Sequence, residues 1–217
     1  MKRGISLTVF ICALFVIPFL GSASDKPLAG PFKNPASPTK EEIIQLYDKA
    51  VVMVERKYSR GNTLERGTAV FYTETEMVTN AHVVGFLPDS VTRHRLIYTD
   101  SDLDESMFWI VFKGKKYPAQ FVGRDPTSDL AILKIDKKIP GVVPAPLGKS
   151  KDIKRGHPAL AFGNPFGMEQ TVTEGMITAT EKIIGLVSYE DYLQTQAPIN
   201  PGNSGGPLVS QKDGTII

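Results

Sequence analysis

The 217-residue chain has almost no cysteine. Its one thiol, Cys12, excludes an intramolecular disulfide framework and any cysteine-rich metal cluster. Histidine is scarce as well, and His82, His94 and His157 lie too far apart for a local histidine metal motif. Neither sign of charge dominates. With 25 Lys and Arg against 23 Asp and Glu, the net charge of +2 gives no electrostatic footprint for a nucleic-acid partner or for polybasic membrane binding. An apolar share of 41% excludes global disorder and supports a core.

Long hydrophobic runs are also lacking beyond the first, at residues 5–20. Lys2 and Arg3 precede it, and Gly21, Ser22 and Ala23 come after it, which is the three-part pattern of a secretory signal over 1–23. The run is short for a spanning helix and carries Pro18, so a cleaved signal is expected, with an uncleaved inner-membrane anchor as the alternative. Cys12 stands after Phe10 and Ile11 inside the run, the wrong setting for a lipoprotein cysteine. Cleavage after Ala23 removes Lys2 and Arg3, leaving 23 charges of each sign and no thiol. An exported chain without disulfides fits a bacterial periplasm, and no stable membrane span remains once the signal is gone.

Residues 24–40 are proline-rich and read as an extended linker. Thr39 and Glu42 form a capping-box pattern, and Ile43, Leu46, Tyr47 and Ala50 keep helical spacing, which predicts a short helix over 40–49. Short β-rich runs come next, at 51–54, 67–72, 76–79, 108–112, 117–122 and 130–135. A second set falls at 159–162, 171–178, 183–187, 192–196 and 207–209. Many short strands separated by Gly, Pro and Asn predict an all-β sandwich or barrel, not a parallel α/β sheet.

Three local motifs carry chemistry. In Gly202-Asn203-Ser204-Gly205-Gly206 the glycines permit a sharp turn that presents a serine hydroxyl and aims successive N–H groups at one point. His82 stands in an otherwise apolar segment, and Asp129 ends a turn before an apolar strand. Each has a plain structural explanation alone. Serine hydrolysis needs all three: a hydroxyl, a base oriented by an acid, and oxyanion donors.

Thr79-Asn80-Ala81-His82-Val83-Val84, Asp129-Leu130-Ala131-Ile132-Leu133-Lys134 and Ile199-Asn200-Pro201-Gly202-Asn203-Ser204-Gly205-Gly206-Pro207-Leu208-Val209 closely resemble the trypsin-like serine proteases of the HtrA/Deg family. Ala161-Phe162-Gly163-Asn164-Pro165-Phe166-Gly167 and the Gln170–Gly175 stretch resemble the opening of that family's second barrel. The resemblance implies two six-stranded-type antiparallel β-barrels. The first, with the short helix, would occupy 41–146 and carry His82 and Asp129; the second would occupy 147–217 and carry Ser204. It implies Ser204 as nucleophile, His82 as general base, Asp129 as its orienting acid, and the N–H groups of Gly202 and Ser204 as the oxyanion hole. Pro198 and Ile199 would line the substrate pocket, and their neutrality favours a small or aliphatic side chain at the cleaved residue. The implied substrates are unfolded or damaged exported polypeptides. No cofactor or metal is implied, and homotrimers are part of the resemblance. A non-catalytic peptide-binding or chaperone module is the alternative.

Three departures stand out. Asn203 takes the place of the aspartate that pairs with a new N-terminus in digestive proteases, so proteolytic activation is not expected. The 85–106 stretch looks like an insertion; its Asp100, Asp102, Asp104 and Glu105 fail the calcium-loop pattern, because Glu105 stands where Gly is needed. His94 reads as exposed there, and His157 has no evident partner in the sequence. Finally, the chain ends 13 residues past Ser204, so the second barrel is expected to be incomplete and the sequence a fragment of a longer protein.

Overall fold

The computed structural model describes Phe32 and residues 37–57, 64–85, 107–125, 127–164, 170–185 and 190–217. The signal-like segment, most of the linker, and residues 86–106 with His94 and the acidic group lie outside the described residues. Among the described residues no helix is long and apolar enough to cross a membrane.

Helix α1 spans Lys40–Ala50. Thr39 caps it reciprocally with Glu42: the Glu42 N–H donates to the Thr39 hydroxyl, and the Thr39 N–H donates to the Glu42 carboxylate at 2.9 Å. A cap of this kind is worth about 1 kcal/mol. The helix buries Ile43, Leu46, Tyr47 and Ala50, the four positions whose spacing predicted it.

Among the described residues ten strands come after the helix: β1 Val51–Lys57, β2 Leu64–Phe71, β3 Glu76–Asn80, β4 Met107–Phe112, β5 Lys115–Asp125, β6 Leu130–Lys134, β7 Pro158–Gly163, β8 Thr171–Lys182, β9 Tyr192–Thr195 and β10 Leu208–Ser210. The first six close into a barrel in the order β1-β2-β3-β6-β5-β4, and the rest form a four-stranded sheet, β10-β7-β8-β9. The protein is therefore nearly all β, with one closed barrel and a second, incomplete one.

Strand β1 is buried on both faces, which is why Val51 to Val54 read as a continuous apolar run. Val52, Val54, Ala69, Phe71 and Met77 point into the first barrel with Ile110 and Leu133. The alternate residues Val51, Val70 and Val78 face outward, onto α1 and onto Leu160, Phe162 and Val209 of the second sheet. This second cluster is the seam between the lobes. Tyr47 stacks on Phe162 with ring centroids 4.8 Å apart, and its hydroxyl donates to the Gly214 carbonyl at 3.0 Å. Phe32, from the linker, is buried in the same cluster.

One expected strand is absent in the described part. Residues 183–185 lie outside any strand, with Ile183 78% exposed, because β8 runs on to Lys182 and the chain then turns through Gly185 at φ +77°. The N–H groups of Ile184 and Gly185 donate to the Glu190 carboxylate, so the segment is a carboxylate-capped turn. Leu186 and Val187 lie outside the described residues.

Candidate active site

The ladder between β3 and β6 pairs Asn80 with Leu130, which places the residues just beyond these strand ends, His82 and Asp129, side by side. His82 Nδ1 lies 2.7 Å from Asp129 Oδ2, and the His82 backbone N–H donates to Asp129 Oδ1 at 2.9 Å. A carboxylate can only accept, so Nδ1 carries the proton and Nε2 is left as the basic nitrogen. Two further donors hold the Asp129 carbonyl: the Ala81 N–H at 2.9 Å and Asn80 Nδ2 at 3.1 Å. Asp129 itself is buried and adopts φ +57°, a left-handed conformation that costs a non-glycine residue about 1–2 kcal/mol. Its hydrogen bonds offset that cost and fix the carboxylate's aim.

Ser204 sits in the turn before β10. Asn200 to Asn203 form a turn closed by the Asn203 N–H on the Asn200 carbonyl at 3.0 Å, with Pro201 second and Gly202 third at φ +98°, as a type II turn requires. The first barrel grips the residues around the serine. The Thr68 hydroxyl donates to the Gly202 carbonyl at 2.6 Å, and the Thr68 N–H donates to the Ser204 carbonyl at 2.8 Å. The Gly205 N–H donates to Asn80 Oδ1 at 2.6 Å, and the Gly206 N–H to the Asn203 carbonyl at 2.8 Å. From Gly202 through Ser204 every carbonyl is engaged. The N–H groups of Gly202 and Ser204 are different: among the described residues neither has an acceptor.

Gly205 explains why glycine comes directly after the serine. It adopts φ +84°, and a Cβ there would fall 2.1 Å from the Thr68 carbonyl oxygen and 2.2 Å from the Thr79 hydroxyl. The Ser204 turn thus lies flush against β2 and β3. Asn203 is buried, with its amide on the Cα of Gly163.

The structure brings His82 and Asp129 into direct contact and anchors the Ser204 turn through Asn80, two residues from His82. The two expected pocket residues are placed differently from each other. Ile199 packs, partly buried, against the cluster of Ala159, Ala161, Ile177, Ala197, Leu208 and Ile217. Pro198 is exposed, and its carbonyl accepts from the Thr173 hydroxyl at 2.8 Å.

His157 has a partner that its sequence neighbours do not reveal: its Nε2 lies 2.9 Å from Ser210 Oγ, because β7 and β10 pair at Ala159 and Ser210. Partial burial lowers its pKa, helped by Lys212 and opposed by Asp213. Thr68 and Asn80 are site residues that sequence reasoning passed over. Asn80 stands within the histidine motif, but only the three-dimensional register shows what its amide touches.

A closed six-stranded barrel joined to a second β-sheet, with a histidine–aspartate pair and a glycine-framed serine at the seam, defines the architecture of trypsin-like peptidases. Residues 67–217 match the trypsin-like peptidase domain, and the chain belongs to that family. It is 35% identical over 190 residues to a probable periplasmic serine endoprotease DegP-like of Chlamydia pneumoniae, covering 87% of this chain and 34% of that one. It is 32% identical over 202 residues to the serine protease PepD of Mycobacterium tuberculosis, covering 85% of this chain and 41% of that one. Among solved structures, the HtrA-type protease AlgW with a tripeptide superposes with a TM-score of 0.63 at 36% identity, over 81% of this chain and 52% of that one. The chain spans about a third of the length of the DegP-like relative.

Proposed function

We propose that the chain is the catalytic portion of an exported serine endopeptidase. In this reading Ser204 Oγ attacks the scissile carbonyl carbon and its proton passes to His82 Nε2. The resulting oxyanion is received by the N–H groups of Gly202 and Ser204. His82, now protonated and stabilised by Asp129, gives the proton to the leaving amine. Water then attacks the acyl-enzyme by the same route in reverse and restores Ser204. The observation that carries the reading is the hydrogen-bond accounting from Gly202 to Gly206, in which the two N–H groups without an acceptor among the described residues are the two that this chemistry needs. Each such donor is worth on the order of 3 kcal/mol of transition-state stabilisation.

Substrate choice rests on neutrality. Pro198 and Ile199 offer no counter-charge to a basic side chain, which supports small or aliphatic residues at the cleaved position and unfolded polypeptides as substrates. Asn203 cannot form an ion pair with a cleaved N-terminus, which supports activity without proteolytic processing. The signal-like N-terminus and the periplasmic names of relatives support export to a bacterial periplasm. Homotrimeric assembly is carried over by resemblance alone.

A fluorophosphonate probe tests the proposal. The folded wild-type protein is expected to label at Ser204 and Ser204→Ala is not. Absence of labelling in protein whose fold is verified by circular dichroism and proton NMR would favour the non-catalytic, peptide-binding alternative.

A further inference from the structure

Asn80 is fully buried at the end of β3. Its Nδ2 donates to the Asp129 carbonyl at 3.1 Å and its Oδ1 accepts from the Gly205 N–H at 2.6 Å. The amide can point only this way, because the reverse orientation would set donor against donor and oxygen against oxygen. Among the described residues no other side chain is hydrogen-bonded to both the Asp129 segment and the Ser204 turn. The two segments come from different lobes, and Asn80 reaches 49 residues forward to one and 125 to the other.

We propose that Asn80 is a positioning residue that holds the Ser204 turn in register with the His82–Asp129 pair across the seam. Its catalytic significance rests on the serine-peptidase reading; the clamp itself rests only on the two hydrogen bonds. The requirement is narrow. Alanine strands the buried Gly205 N–H and leaves the Asp129 carbonyl with the Ala81 N–H alone. An ionised carboxylate can still accept from Gly205 but cannot donate to Asp129. A protonated carboxyl can do both, with its O–H in place of Nδ2.

The test compares wild type, Asn80→Ala and Asn80→Asp by amide hydrogen exchange, thermal melting and fluorophosphonate labelling. Gly206, whose N–H is bonded within the same turn, is the internal reference. In Asn80→Ala, exchange at Gly205 is expected to rise about tenfold relative to Gly206, and labelling to slow by a similar factor. In Asn80→Asp, protection at Gly205 is expected to be kept. The melting deficit of that variant should be smallest at pH 4 and grow as pH rises. The donor it needs sets the sign: protonation is favoured in the fold, so stability is present at low pH and lost on ionisation.

Equal increases at Gly205 and Gly206 in Asn80→Ala, or a melting deficit of Asn80→Asp that does not depend on pH, would overturn the clamp. If Asn80→Ala does not fold, the Asn80→Asp pH series and its Gly205 protection decide alone. If wild type does not label, the catalytic reading fails, while the exchange ratio still judges the clamp.

Discussion

His82 is bound twice by Asp129, once through its ring and once through its own backbone N–H, at 2.7 and 2.9 Å. The acid therefore fixes both where the histidine's backbone sits and which ring nitrogen carries the proton. Asp129→Asn is expected to keep the backbone contact through its carbonyl oxygen while its amide N–H₂ faces Nδ1. That stabilises the wrong tautomer, with Nε2 protonated. Fluorophosphonate labelling of Ser204 should slow by about 10³–10⁴-fold, with the melting temperature close to that of wild type. Near-normal labelling would remove Asp129 from the catalytic role.

Gly205→Ala should fail more severely than its size implies. The added methyl meets backbone and hydroxyl oxygens at 2.1 and 2.2 Å, and the residue is held at φ +84°. Strain of about 1–3 kcal/mol from the backbone alone, plus displacement of the turn from Thr68, predicts a melting temperature several degrees lower and loss of labelling. Gly156→Ala, at φ +87° but with open space around it, provides the control: it carries the strain without the collision.

Acid stability should depend on Glu55. This buried carboxylate meets Arg66 Nε at 3.0 Å and also Lys116. Burial pushes its pKa up, but the hydrogen bonds and charges of Lys116 and Arg66 together outweigh burial and leave it below the ordinary 4.5. A depressed folded pKa contributes stability above the unfolded value, and that stability is lost as pH falls through the folded one. The melting temperature of wild type should therefore drop more steeply below the ordinary 4.5 than that of Glu55→Gln, measured in parallel.

At the other end of the scale, Tyr47 titrates well above the ordinary 10, because its phenol is buried and Asp213 lies nearby. A raised folded pKa contributes stability that is present below the ordinary value and lost as pH rises through the folded one. Tyr47→Phe should cost about 1 kcal/mol at neutral pH, the worth of the bond to the Gly214 carbonyl, and should flatten the alkaline loss. Chemical denaturation at neutral pH and at about pH 11, past the unfolded tyrosine value, measures both.

Much of this fold is legible in the sequence where local chemistry decides. Thr39 and Glu42 mark the helix start, and the β-branched runs mark most strands. The double-faced burial of Val51 to Val54 shows why that run lacks polar–apolar alternation. Legibility ends where register or a distant partner decides. Ile183 and Ile184 look like strand formers, yet the Glu190 carboxylate further along captures that turn. The partner of His157 depends on how β10 aligns with β7. The roles of Thr68 and Asn80 depend on a turn 134 and 125 residues away. The candidate serine, histidine and aspartate stand in distinctive local contexts in the sequence; the residues hydrogen-bonded around them do not, because those contacts are a property of the assembled seam.

The stack of Tyr47 on Phe162, together with the Tyr47 bond to Gly214, ties the first helix to the last stretch of chain across 167 residues. Contacts of such separation are made only after a large loss of chain entropy, and they form late in folding. During synthesis the helix can pack on Val51, Val70 and Val78 of the first barrel, but Tyr47 gains Phe162 and the Gly214 carbonyl only once the second sheet has emerged. The first barrel, whose pairings are all internal, can close before that. The first barrel would thus be complete while the seam, and with it the hold of Thr68 and Asn80 on the Ser204 turn, is still unformed.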